Sequence, residues 1–99
     1  MTLAWFDAAA AQDFGKSLAK SFIDRLSPAE KASSKKFEGK AKEALAKMAQ
    51  QIATFRSSSK LNFYKKAKLG NAFKWALREA GYDQAYTDEL TEWLMLQLQ

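Results

Sequence analysis

The stretch from Arg56 to Arg78 combines positive charge with aromatic rings, the two features with which proteins hold phosphates and stack on bases. Seven of its residues are basic, none is acidic, and four aromatic residues are interleaved with them. The chemistry that this composition favours is the binding of nucleic acid or of another acidic partner. The residues that would make those contacts are Arg56, Lys60, Tyr64, Lys65, Lys66, Lys68, Lys74 and Arg78.

Three observations favour a plainer interpretation of this stretch, a solvated basic surface. On a helix its lysines spread around the circumference instead of forming one stripe. The acidic segment Asp83–Glu92 follows closely and would neutralise part of the positive field if it packed alongside. Aromatic side chains more often belong to a core than to a base platform, and a net charge of +5 speaks to non-specific binding. Nucleic-acid binding is therefore the alternative function, not the first.

Residues for catalysis are scarce in this chain. It has no Cys and no His, which excludes thiolate chemistry and removes the usual general base and the commonest metal ligand. The sequence shows no Gly-rich phosphate loop, nucleophile motif or metal-ligand cluster. The carboxylates of Asp83, Asp88, Glu89 and Glu92 lie near the start of a predicted helix, where capping accounts for them. We expect a protein that is not an enzyme and has no metal, no cofactor and no small-molecule ligand.

The elements that position these residues follow from apolar spacing. Apolar residues recur three and four positions apart, which predicts helices near residues 3–26, 28–57, 60–80 and 87–98. Ser27-Pro28-Ala29-Glu30 has the residue types of a capping box, Gly81 suits a helix end, and Thr87 is placed to cap the last helix. Gly15 predicts a kink or division of the first helix, and a break before Phe37 is the corresponding expectation for the second.

Together these elements predict an all-α fold. We expect one domain over residues 1–99, a small antiparallel four-helix bundle-like arrangement in which two shorter C-terminal helices pack across a long helical hairpin. The predicted core consists of Phe14, Leu18, Phe22, Leu45, Met48, Ile52, Phe73, Leu77, Leu90 and Leu94.

The function that these features favour first is that of a non-catalytic helical protein that binds other proteins or serves as a scaffold. No motif carries a resemblance to a family, although the chain has the look of a small bacterial cytosolic protein. No segment reaches the roughly 18 apolar residues of a membrane span, and the start lacks the pattern of a signal peptide. We therefore expect a cytoplasmic location.

Self-association, as a homodimer, is the last expectation. The final turn of the C-terminal helix is apolar nearly all round, and a second helix over residues 28–57 would span roughly 45 Å and overhang the shorter ones. The residues expected at such a contact are Ile52, Phe55, Trp93, Met95 and Leu96. The alternative is a monomer in which Phe63, Tyr64 and Trp75 of the same chain cover the overhanging stripe.

Overall fold

A computed structural model describes residues 2–26, 35–58 and 60–99, with side chains from residues 8–26, 39–58 and 60–99. Over this part of the chain there are four helices and no strand, which confirms the all-α prediction. Helix α1 spans Thr2–Arg25, α2 Lys35–Ser58, α3 Phe63–Ala80 and α4 Gln84–Gln97. Helix α2 is unbroken from Lys35 through Phe37. The predicted capping box at residues 27–30, and the part of the expected break before Phe37 that precedes Lys35, lie outside the described residues.

The two C-terminal helices have well-defined ends. Asn62 caps the start of α3, where its Oδ1 accepts a hydrogen bond from the Lys65 backbone N–H at 2.8 Å. Gly81 closes the same helix in the left-handed conformation, at φ 105°, as its position in the sequence predicts. The cap of α4 is Asp83, whose Oδ1 accepts from the Tyr86 N–H at 3.0 Å. Thr87 was the wrong choice of cap, because the helix begins three residues before it and buries it fully.

Helices α1 and α2 form the expected hairpin. At one end the Arg25 guanidinium lies 3.1 Å from the Glu43 carboxylate. Towards the other end the Phe14 and Phe55 rings stack with their centroids 4.2 Å apart. Residues late in α1 thus meet residues early in α2, so the two helices run antiparallel.

Helix α3 packs parallel to α1, and this is the most extensive helix contact among the described residues. Gly15 of α1 lies against Leu69 of α3, and further along the Tyr82 hydroxyl donates a hydrogen bond to the Leu26 carbonyl. A Cβ added at Gly15 would lie only 2.3 Å from the Leu69 carbonyl oxygen. The expected division at Gly15 is wrong, since α1 runs through this residue unbroken, and the glycine permits the close approach of α3.

Helix α4 returns antiparallel to α3. Its Asp88 carboxylate lies 3.7 Å from the Lys74 ammonium group, and Met95 packs over Gly70, about one turn nearer the start of α3. The N-terminus of α3 and the C-termini of α2 and α4 therefore meet at one end of a body that measures 47 × 24 × 19 Å.

The core lies where α1 and α3 face each other and is closed by α2 and α4. Most of the predicted core residues are buried, namely Leu18, Phe22, Met48, Ile52, Phe73, Leu77, Leu90 and Leu94. Phe14 and Leu45 are only partly buried and pack against this cluster from its edge. The edge position follows from α2, which contacts α1 but covers little of the other two helices.

Candidate interaction surface

Helix α3 has an inward and an outward face of different chemistry. Its inward face carries Leu69, Phe73 and Leu77, all fully buried. Its outward face carries four exposed residues spaced four, three and four positions apart, which places them in one line along the helix. We call this line the outer row, and it consists of Tyr64, Lys68, Asn71 and Trp75.

Aromatic rings dominate the exposed apolar surface of α3. Phe63 is 76% exposed, Tyr64 60% and Trp75 54%. The expectation that the aromatics of this stretch are core residues holds for Phe73 and is wrong for the other three. The Lys68 ammonium group lies 5.6 Å from the centroid of the Tyr64 ring, within cation–π range. The Tyr64 ring and the Lys68 ammonium group are therefore exposed next to each other.

A groove runs beside the outer row, between α1 and α3, with a volume of about 530 Å³. Trp75 and Lys68 form part of its wall on the α3 side. Its polar lining has both charges, with Lys16 from α1 and Glu79 from α3. The groove is therefore amphipathic, neither a basic channel nor an apolar slot.

The acidic segment Asp83–Glu92 neutralises positive charge only at the C-terminal end of α3. Asp88 of α4 pairs with Lys74 in the C-terminal half of α3, and Asp83 is engaged as a helix cap. The last seven residues of the chain, which lie along the N-terminal half of α3, carry no charged side chain. Helix α4 therefore places no charged side chain beside the early lysines of α3.

A second basic group lies at the end of the bundle, apart from the outer row. Arg56, Lys60 and Lys66 surround a cavity of about 280 Å³ together with Leu61 and Leu98. We call this cavity the basic pocket. It brings together residues from the end of α2, the α2–α3 connection, the first turn of α3 and the end of α4.

The predicted contact residues thus separate into three sets. Tyr64 and Lys68 belong to the outer row, while Arg56, Lys60 and Lys66 belong to the basic pocket. The remaining three are half-buried: Lys65 donates to the Lys60 carbonyl at 3.0 Å, Lys74 pairs with Asp88, and Arg78 lies in the last turn of α3.

Two exposed aromatics of this surface were not among the predicted contacts, Phe63 and Trp75. A signal for Trp75 was present, because Tyr64 and Trp75 are eleven residues apart, three helical turns, and so share a face. Nothing in the sequence marks that face as the outward one.

Most residues predicted for self-association point into their own chain. Ile52 is buried, Phe55 stacks on Phe14, and Trp93 and Met95 are partly buried against the core. Leu96 differs from them, with 59% of its surface exposed.

Within the described residues no group of three or more acidic side chains is placed to hold a metal ion. The same part of the chain contains no helix with the length and hydropathy needed to cross a bilayer. No family model, curated protein or solved structure matches this chain.

Proposed function

We propose that this chain is a non-catalytic, cytoplasmic binding protein that holds another protein against the outer row of α3. The observation that supports the proposal most strongly is the exposure of three large aromatic rings, Phe63, Tyr64 and Trp75, on the same helix. Isolated exposed apolar residues are ordinary, but three exposed aromatic residues on one helix, with Trp75 on the wall of a groove, are typical of an interaction site.

The composition of this surface suits a protein partner. Tyr and Trp are enriched at the centres of protein interfaces, where a buried ring supplies much of the binding energy. Trp75 has the place of such an anchor, because its side chain forms a wall of the 530 Å³ groove. Because Lys16 is positive and Glu79 negative, the groove favours a partner that carries charged groups of both signs.

Site-specific photocrosslinking in cells that naturally make the protein tests this proposal. A benzophenone amino acid replaces Tyr64 or Trp75, both exposed on α3, or Lys47, an exposed residue of α2 that serves as the matched control. We expect protease-sensitive adducts from the two α3 positions and none of the same mass from the control. Equal adducts from all three positions, or none from α3, would contradict the proposal.

A second copy of the chain is one candidate partner, as the sequence predicts. In that case the adduct has twice the mass of the chain, and sedimentation equilibrium shows a dimer at raised concentration. The Leu96→Glu variant separates the two surfaces, since Leu96 is exposed on α4 and lies outside the outer row. A dimer that this substitution abolishes is built on α4; a dimer that it leaves intact is consistent with the outer row.

Nucleic acid is the second candidate, and one observation favours it. The Lys68 ammonium group and the Tyr64 ring are exposed side by side, which suits a phosphate next to a stacked base. Fluorescence anisotropy with a labelled single-stranded oligonucleotide tests this. We expect affinity to fall steeply with added salt and to fall further in Lys68→Glu and Tyr64→Ala. Affinity that ignores salt and both substitutions would exclude this function.

A further inference from the structure

We propose that the basic pocket is a binding site for a phosphate-type anion. Three cationic side chains from separate segments, Arg56, Lys60 and Lys66, line one cavity of about 280 Å³. No carboxylate is present among the described residues that line it. This site does not depend on the proposed protein contact, because it shares no residue with the outer row.

Backbone contacts fix the frame of the pocket. The Arg56 guanidinium donates through Nη1 to the Gln97 carbonyl at 3.1 Å, which ties the end of α2 to the end of α4. The Lys65 ammonium group donates to the Lys60 carbonyl at 3.0 Å, which ties the connection to the first turn of α3. The cations therefore stand on segments whose relative positions are held by hydrogen bonds.

Two of the three cations are unengaged. Within the described part of the chain the ammonium groups of Lys60 and Lys66 make no hydrogen bond or ion pair. Arg56 has a structural contact, yet four of its five guanidinium N–H donors are not needed for one bond to Gln97. The carbonyl ends of α2 and α4 lie at this end of the bundle and offset part of the positive charge. No carboxylate side chain among the described lining residues pairs with the three cations, so a bound anion supplies the counter-charge that the pocket lacks.

The volume and the lining of the pocket favour one class of anion. Its volume of about 280 Å³ leaves room for a phosphate or pyrophosphate group. A guanidinium fork and two ammonium groups suit a multiply charged oxyanion better than a single carboxylate. Leu61 and Leu98 supply an apolar wall against which the organic part of a phosphate ester can lie.

Titration calorimetry with pyrophosphate at constant ionic strength tests the site. We expect binding to the wild type, and about a tenfold loss of affinity in Lys60→Gln and in Lys66→Gln, the effect of removing one charge-assisted hydrogen bond. Lys42→Gln is the matched control: it removes the same charge from an exposed site on α2, fourteen residues or roughly 21 Å from Arg56. Arg56 is left intact because it also holds Gln97.

A second titration distinguishes the two sources of phosphate. If pyrophosphate binds with the expected losses, the site takes a free phosphate compound. If it does not bind but a single-stranded oligonucleotide does, with losses in Lys60→Gln and Lys66→Gln that exceed the loss in Lys42→Gln, the site takes a nucleic-acid phosphate. The proposal is overturned if neither probe binds, or if all three variants lose affinity equally, since the effect is then net charge and not a site.

Discussion

Replacing Gly15 with Ala should lower the stability of the protein, because this glycine allows α3 to pack closely against α1. In most helix interiors this change stabilises, because Ala has a helix propensity about 1 kcal/mol better than Gly. At Gly15 the new Cβ would lie 2.3 Å from the Leu69 carbonyl oxygen, 1.1 Å short of the 3.4 Å at which ordinary contact begins. The obstructing atom belongs to the backbone of α3, so it cannot move away by a change of rotamer.

The magnitude follows from these two opposed effects. Overpacking costs up to about 3 kcal/mol, and we take this upper value because α1 and α3 must move apart at their closest contact. Subtracting about 1 kcal/mol of improved propensity leaves a net loss of about 2 kcal/mol. For a domain of this size that corresponds to a melting temperature lower by about 8–16 °C.

Two other glycines supply matched controls. A Cβ at Gly39 of α2 meets no atom of the described residues within 4 Å, so Gly39→Ala should raise the melting temperature by about 4–8 °C. A Cβ at Gly70 would lie 2.7 Å from the Met95 sulfur, a flexible side-chain atom, so Gly70→Ala should change stability little. Thermal unfolding followed by far-ultraviolet circular dichroism ranks the three variants. A Gly15→Ala protein as stable as the wild type would refute the assignment of the tight crossing.

Three further predictions concern the ends of α1 and α4. Thr87→Val should stabilise by about 1 kcal/mol in urea unfolding, because the buried Thr87 hydroxyl has no hydrogen-bond partner among the described residues; a loss of stability would contradict this. Tyr82→Phe should cost about 1–3 kcal/mol in the same assay, since it leaves the Leu26 carbonyl without its buried donor; an unchanged midpoint would contradict this. Burial, and then the charge of Glu89, raise the pKa of Tyr86 above 10.0, which disfavours the phenolate in the folded state. The stability held by the neutral phenol is complete below pH 10 and is lost as the pH rises through the folded pKa, so unfolding free energy measured against pH should fall less steeply at alkaline pH in Tyr86→Phe than in the wild type.

Local patterns in the sequence predict the helices and most of their inward faces. The spacing of Leu18 and Phe22, and of Met48 and Ile52, identifies core positions because a helix places residues three and four apart on one side. Gly81 likewise predicts the end of α3, since closing a helix in the left-handed region favours a residue without a Cβ. These features depend on neighbours within one or two turns, all of which the sequence shows.

Two features that depend on distant residues, the cap of α4 and the role of Gly15, were not predicted correctly from the sequence. Thr87 and Asp83 both have side chains that can cap a helix, and only burial of the Thr87 side chain in the folded chain decides between them. The low helix propensity of Gly15 is the same whether the residue interrupts α1 or lets a neighbouring helix pack closely against it. Which occurs depends on Leu69, more than fifty residues away, and no local signal links the two positions.

The sequence by itself determined that this chain forms amphipathic helices and that its basic and aromatic residues share one of them. Tertiary structure alone decided that Phe63, Tyr64 and Trp75 face outwards and that Arg56 meets Lys66 at one end of the bundle. The physical reason is that a helical period fixes which residues share a face but not what packs against that face. That partner is chosen by contacts between residues far apart in the chain, such as the parallel packing of α3 on α1.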